Sequence, residues 1–184
     1  MEKVYLEKLL TFADDQLKNN ILPFWKKYMI DSEYGGFYGQ VNDDLSSEPN
    51  AEKGLVLNAR ILWTFSAVFN KYGDPDDLKL AHRAYNYLRQ QFFDNDYGGY
   101  FWSLTHKGKP LETKKQIYAQ AFVIYGLSEY YRLTNKKEVL DQAIKLFDLI
   151  EKYSFDAKWN GYIEACARDW SEIGNLQLSP KDLN

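Results

Sequence analysis

A motif that returns at a fixed interval constrains this chain more than any other feature. It reads Asp31-Ser-Glu-Tyr-Gly-Gly-Phe-Tyr38, then Asp94-Asn-Asp-Tyr-Gly-Gly-Tyr-Phe101, then Asp156-Ala-Lys-Trp-Asn-Gly-Tyr-Ile163. Its second glycine falls at Gly36, Gly99 and Gly161, giving steps of 63 and 62 residues. A constant step of this size marks one supersecondary unit stacked on itself. Between the first two copies, residues 55–69 are apolar nearly all round, interrupted only by Asn58, Arg60, Thr64 and Ser66. That is the pattern of a helix surrounded by protein. A turn at Tyr72-Gly-Asp-Pro75 then leads into a mixed segment, residues 76–93, in which Leu78, Ala81, Ala84, Tyr85 and Leu88 alternate with Lys79, Arg83, Asn86 and Arg89. The next interval repeats the order, with an apolar run from Ile117 to Tyr131 and an amphipathic helix carrying Leu140, Ala143, Ile144, Phe147 and Ile150 on one face.

Buried helix, exposed helix and glycine-rich hairpin therefore form the unit. The two intervals align at a period of 62, with Asn58-Ala59-Arg60 opposite Gln120-Ala121-Phe122. Inner helices paired with outer ones and repeated build an all-α fold, an α/α toroid with short β-hairpins at the junctions. Open helical solenoids are the alternative, but their repeats run to about 34–47 residues and lack a hairpin at each junction. Residues 1–184 read as one domain of about three such repeats, half of a six-hairpin α/α barrel. The polar stretch Leu178–Asn184 stands where a further buried helix is expected. A half-ring would expose apolar inner helices, so self-association or pairing with a missing C-terminal half is expected.

Charge and composition exclude several classes. The net charge is −3, and the basic residues are dispersed among acids with no basic stripe, so a nucleic-acid partner is not expected. No apolar run reaches the length of a membrane span. The first twelve residues carry charges throughout and read as an amphipathic helix rather than a signal peptide. Cys166 is the only cysteine, which excludes an intrachain disulfide and fits a cytoplasmic protein. The two histidines, His82 on an outer helix and His106 in a turn, are not expected to meet. No metal cluster, P-loop or dinucleotide glycine motif is present, so neither a metal nor another cofactor is expected.

Candidate chemistry starts with Arg60, which shares a helical stripe with Val56, Trp63 and Ala67. A guanidinium in an apolar helix must be paired with an acid or face a polar cavity. Tyr118 lies in the first turn of the other inner helix, on a stripe with Phe122, Tyr125 and Glu129; such a stripe is more often core than site. In a toroid both helices start at the hairpin end, so Arg60 and Tyr118 are expected to converge there. The hairpins bring Tyr34, Phe37, Tyr97, Trp102 and Trp159 to the same rim, where aromatic faces can stack on sugar C–H faces or simply cap helix ends. The recurring Asp31, Asp94 and Asp156 are turn residues whose side chains bond to the backbone. Residues Glu164-Ala-Cys-Ala-Arg-Asp-Trp170 place Glu164, Arg168, Asp169 and Trp170 near the rim as ligand contacts, or else Arg168 makes a surface salt bridge.

Four blocks carry a family resemblance: Glu33-Tyr-Gly-Gly-Phe-Tyr-Gly39; residues 53–66, Lys-Gly-Leu-Val-Leu-Asn-Ala-Arg-Ile-Leu-Trp-Thr-Phe-Ser; Gln116-Ile-Tyr-Ala-Gln-Ala-Phe122 with Leu127-Ser-Glu-Tyr-Tyr131; and Gly161-Tyr-Ile-Glu-Ala165 with Arg168-Asp-Trp170. Together they resemble the N-acylglucosamine 2-epimerase superfamily, and within it the cellobiose 2-epimerases. The resemblance implies a toroid of six inner and six outer helices. It also implies epimerisation of an aldose at C2 through ring opening, removal of the C2 proton and a cis-enediolate, with no metal or nucleotide. By resemblance Arg60 binds the enediolate, Tyr118 is an active-site tyrosine and Asp169 lines the sugar pocket; Trp102 and Trp170, read from their place at the rim, are expected as further substrate contacts. The family's catalytic histidines fall beyond residue 184, and neither His82 nor His106 matches them. Two other readings stay open: a non-catalytic carbohydrate-binding protein, and a glycoside hydrolase using two of Glu129, Glu164 and Asp169.

Overall fold

The structure, a computed structural model, describes residues 2–174, so the stretch from Leu178 to Asn184 lies outside the described residues. The helices are α1 (Glu2–Gln16), α2 (Leu22–Tyr28), α3 (Leu55–Tyr72), α4 (Pro75–Tyr87), α5 (Ile117–Thr134) and α6 (Lys137–Ser154). Short strands occupy the junctions: β1 (Lys53–Gly54), β2 (Ser103–Leu104), β3 (Pro110–Glu112), β4 (Lys115–Gln116), β5 (Phe155–Asp156), β6 (Gly161–Tyr162) and β7 (Ala165–Cys166). A π-helical turn at Leu17–Ile21 joins α1 to α2, and another at Leu88–Phe92 prolongs α4.

The two apolar runs form the inner helices. Both α3 and α5 are 18 residues long, and they begin 62 residues apart. They also end alike: Gly73 (φ 74°) and Asn135 (φ 52°) turn left-handed and return their N–H groups to the carbonyls of Phe69 and Tyr131, satisfying helix-end acceptors. Helix α3 packs against both α4 and α5, and α5 packs against α6. At their crossing the inner helices nearly touch, because a Cβ at Gly126 would lie 2.7 Å from the carbonyl oxygen of Ala59. Leu55, Leu62, Phe65, Leu88, Phe92, Leu127 and Val139 fill the space between inner and outer helices. Inner helices side by side with outer helices behind them form an arc of an α/α toroid.

The repeat extends to the backbone bonds at the junctions. Each hairpin closes at matching positions, Ile30 with Phe37, Phe93 with Tyr100 and Phe155 with Tyr162. Strand β1 pairs antiparallel with β2 through Lys53 and Leu104, and β4 pairs with β7 through Lys115 and Cys166. The first N–H of α3 donates to Trp102 O at 3.0 Å, and that of α5 to Glu164 O at 2.9 Å. Each inner helix therefore has an otherwise orphan N–H satisfied by the hairpin that follows it in sequence, which fixes where its first turn starts.

Three details depart from the sequence reading. Phe37, expected at the rim, is fully buried in the core. Positive φ angles occur at both Gly35 and Gly36 and at both Gly98 and Gly99, whereas in the third hairpin Asn160 (φ 52°) takes the left-handed position and Gly161 does not. The first helix is amphipathic in pattern, yet Val4, Tyr5, Leu6, Leu9, Leu10 and Phe12 are all exposed. No helix among the described residues is long and apolar enough to cross a membrane.

Candidate active site

The hairpins are anchored before any site can form on them. Asp31 accepts the N–H groups of Glu33 and Tyr34, as a turn aspartate should, and its other oxygen accepts Lys53 Nζ at 2.6 Å. Asp94 repeats this with the N–H groups of Asp96 and Tyr97 and with Lys115 Nζ at 2.9 Å. Both lysines and both aspartates are essentially inaccessible to solvent. Burial alone would raise the Asp94 carboxyl, but its bonds to Arg168 and Lys115 outweigh burial and hold it well below the ordinary carboxylate range. Burial pushes Lys115 down, against the pull of Asp94. Asp156 accepts only the N–H groups of Lys158 and Trp159. The turn role of the three aspartates was legible; the buried lysines were missed. Their signal was a lysine directly before each apolar helix, 22 residues after Asp31 and 21 after Asp94.

An aromatic ring covers the glycines of the first two hairpins. A Cβ on Gly36 would come within 2.6 Å of the Tyr87 ring, and one on Gly99 within 2.6 Å of the Trp170 ring. The two rings come from different repeat positions. Tyr87 of α4 corresponds to Leu149 of α6, whose Cδ1 is 3.0 Å from a Cβ on Gly98, and Trp170 corresponds to Gly108, whose Cβ would lie 3.1 Å from the Tyr87 hydroxyl. A large residue and a small one have exchanged places, so the space over the hairpin is filled both times. Burial raises the Tyr87 phenol to about 12.

Beside this scaffold, the face of α3 bearing Arg60, Trp63 and Thr64 and the face of α5 bearing Tyr118, Ala121, Phe122 and Tyr125 enclose a groove of about 600 Å³. Trp63 and Tyr125 stack across it, with centroids 4.9 Å apart and planes 11° from parallel. Tyr118 meets Phe122 edge to face at 4.9 Å, and the Arg60 guanidinium lies 5.9 Å from the Phe122 centroid. Arg60 and Tyr118 thus both approach one ring near the start of the inner helices. The sequence left Arg60 either ion-paired or facing a cavity. It faces the groove, is exposed, and has no acid partner among the described residues.

Other candidates sit elsewhere. Asp169 does not line the groove; its carboxylate accepts the N–H and hydroxyl of Ser171, and both bonds lower it. Trp170, expected to contact substrate, is buried with its Nε1–H donated to Tyr97 O at 3.0 Å, because its ring is needed over Gly99. Arg168 makes no ordinary surface bridge, since its guanidinium reaches the buried Asp94 through two bonds of 2.9 Å and Asp96 at 2.6 Å. Trp102 is half-exposed beside the start of α3, with Lys114 Nζ 5.9 Å from its ring. Glu164 is exposed at the start of α5 and accepts Gln116 Nε2 at 3.3 Å. Glu129 accepts Asn70 Nδ2 and Arg132 at 2.7 Å each, a structural role. The histidines are apart: His82 Nδ1 shares a 2.7 Å bond with the Tyr130 hydroxyl, while His106 packs edge-on against Tyr34.

With this geometry in place, comparisons with known proteins show the family. The family model described as N-acylglucosamine 2-epimerase (GlcNAc 2-epimerase) matches residues 36–178. A cellobiose 2-epimerase from Bacteroides fragilis is 49% identical over 169 residues, covering 92% of this chain and 43% of that protein. The structure of cellobiose 2-epimerase from Bacillus thermoamylovorans superposes with a TM-score of 0.89 at 40% identity, over 95% of this chain and 45% of the other. Its counterpart from Spirochaeta thermophila gives 0.89 at 36% identity, over 97% and 44%. The chain thus spans less than half the length of the relatives it matches.

Proposed function

The chain belongs to the N-acylglucosamine 2-epimerase family, and from that premise we propose that it forms the enediolate-binding side of a sugar epimerase. The proposed reaction is the C2 epimerisation of cellobiose or a related aldose. In an open-chain aldose, loss of the C2 proton delocalises charge onto the C1 oxygen, giving a planar cis-enediolate; return of a proton to the opposite face of C2 inverts the centre. A fixed cation and hydroxyl donors lower the barrier by stabilising the charge as it develops. Arg60 supplies the cation in this reading and Tyr118 a hydroxyl, while Phe122, Trp63 and Tyr125 offer apolar walls to the sugar carbons.

The single observation that carries the reading is the placement of Arg60 and Tyr118 against the Phe122 ring in one groove. Among the described residues the groove lining includes no carboxylate or imidazole. As side-chain types, arginine and tyrosine are poor bases near neutral pH. The acid–base groups are therefore proposed to come from a longer protein, and the same lining gives no support to hydrolysis by paired carboxylates.

A chimaera tests this. Residues 1–184 are followed by the remainder of the Bacteroides fragilis relative, and cellobiose is supplied in deuterated water. The expected result is an epimerised product carrying deuterium at C2, with no exchange above background from residues 1–184 alone. A folded chimaera without C2 exchange would sink the reading.

A further inference from the structure

Three of the chain's other arginines are held by protein acceptors. Arg83 donates to the carbonyls of Gly36 and Asp31, Arg132 to Glu129, and Arg168 to Asp94 and Asp96. Among the described residues Arg60 has only the Phe122 ring as an interaction partner. The groove's other polar side chains, Thr64 and Tyr118, are hydroxyls with no side-chain hydrogen bond among the described residues. Among the described residues the lining is therefore one unneutralised cation and two free hydroxyls set among aromatic rings, with no negative charge to balance it.

We propose that this groove binds aldonic acids, the carboxylate forms of its sugars, in preference to the neutral sugars themselves. The proposal rests on the groove being the sugar site. An aldonate places a trigonal, planar anion at C1 next to the C2 hydroxyl, where the enediolate would carry its charge, and keeps it without any proton transfer. The guanidinium fork matches a carboxylate in two parallel bonds, which neutral hydroxyls cannot reproduce. The remaining sugar carbons meet the same aromatic walls in either case, so the difference between the two ligands falls on Arg60. An oxidised sugar therefore acts as a competing ligand at this site, occupying the cation without being turned over.

Calorimetric titration of the 184-residue chain with cellobionate, cellobiitol and acetate tests this. Cellobiitol has the same skeleton without the charge, and acetate has the charge without the skeleton. A hydrogen-bonded charge is worth roughly 10- to 100-fold in affinity, so cellobionate should bind tighter than cellobiitol by that factor, with acetate far weaker than both. Arg60→Gln should erase the advantage, Arg60→Lys should retain part of it, and Arg89→Gln, on the exposed π-helical turn after α4, should leave it intact. Equal affinity for cellobionate and cellobiitol overturns the proposal, as do acetate binding as tightly as cellobionate, an advantage that survives Arg60→Gln in a variant with unchanged circular dichroism, or no binding at all. The two readings fail separately. A chimaera that exchanges C2 protons while the chain ignores cellobionate refutes the aldonate proposal alone, and a chain that selects cellobionate in a chimaera without exchange refutes the epimerase reading alone.

Discussion

Replacing Asp94 by asparagine should be the most damaging isosteric change in the hairpin scaffold. The Asp94 carboxylate is inaccessible and accepts Lys115 Nζ at 2.9 Å, Arg168 Nε and Nη2 at 2.9 Å each, and the N–H groups of Asp96 at 3.1 Å and Tyr97 at 3.4 Å. Asparagine keeps the shape but removes the charge and presents an NH2 to a cluster of donors. Lys115 is left fully buried without its counter-ion, and breaking such a pair costs about 3–5 kcal/mol. Asp156 provides the internal control, since it caps the same turn with only two backbone bonds; Asp156→Asn should cost about 1 kcal/mol or less. Urea unfolding, with a slope of about 1–3 kcal/mol/M, would resolve the difference as a midpoint shift of about 1 M or more. In Asp94→Asn/Lys115→Met, where the stranded ammonium is gone, much of the loss should return. The sign of the pH dependence follows from the lowered Asp94 carboxyl. Its contribution is complete above the unfolded-state value of about 3.9 and is lost as pH falls below it, so Asp94→Asn should flatten the acid limb of the stability profile. If Asp94→Asn and Asp156→Asn proved equally mild, the buried pair would not be what fixes the second hairpin.

Three further outcomes follow from the same structure. In the chimaera, Arg60→Ala should lower turnover roughly 10²- to 10³-fold, as loss of one oxyanion donor does, with little change in thermal midpoint because the side chain is exposed; wild-type turnover would remove Arg60 from the site. Gly99→Ala should destabilise far more than Gly161→Ala, because the first has φ 69° and meets Trp170 at 2.6 Å while the second has open space; matched melting curves would refute the packing argument. With Val4, Leu6, Leu9, Leu10 and Phe12 exposed on α1, the isolated chain should bind a hydrophobic dye and self-associate in sedimentation velocity, and a dye-silent monomer at high concentration would contradict this.

What the sequence made legible was the part governed by periodicity. The apolar runs became α3 and α5 nearly to their ends, since helix type follows from pattern and both C-termini carry a left-handed residue, Gly73 and Asn135. Pairing Arg60 with Tyr118 required only that both inner helices start at the same end. What escaped was anything set by contacts between repeats. Trp170 looked like a rim aromatic because nothing in its own segment records that Leu149 is too small to cover the second hairpin. Lys53 and Lys115 were invisible as anchors because a lysine before a helix ordinarily reads as surface charge, and only the carboxylate facing each, more than twenty residues earlier, makes burial affordable.

The repeat also explains how the groove arises where it does. Equivalent bonds, Leu55 N–H to Trp102 O and Ile117 N–H to Glu164 O, set α3 and α5 in the same pose. Residues 62 apart therefore occupy equivalent places on the inner surface, and identical side chains there would give a symmetrical wall. The chain breaks that symmetry at several positions, Thr64 against Gly126 among them, and two lie near the start of the inner helices. Arg60 on α3 corresponds to Phe122 on α5, and Val56 on α3 corresponds to Tyr118 on α5. The first exchange puts a cation beside an aromatic face, and the second puts a phenol at the first turn of only one helix. Where the repeats agree, at the aspartate–lysine pairs, the glycine pairs and the strand register, the residues hold backbone in place. Where they differ on the inner face, the side chains become available for chemistry. Swapping those differences, with Arg60→Phe combined with Phe122→Arg, should leave fold and melting temperature nearly unchanged, yet move the cation to the other helix and abolish selection for cellobionate over cellobiitol. Selection that survived the swap would mean that the groove's overall charge, rather than the position of Arg60 beside Phe122 and Tyr118, is what the ligand reads.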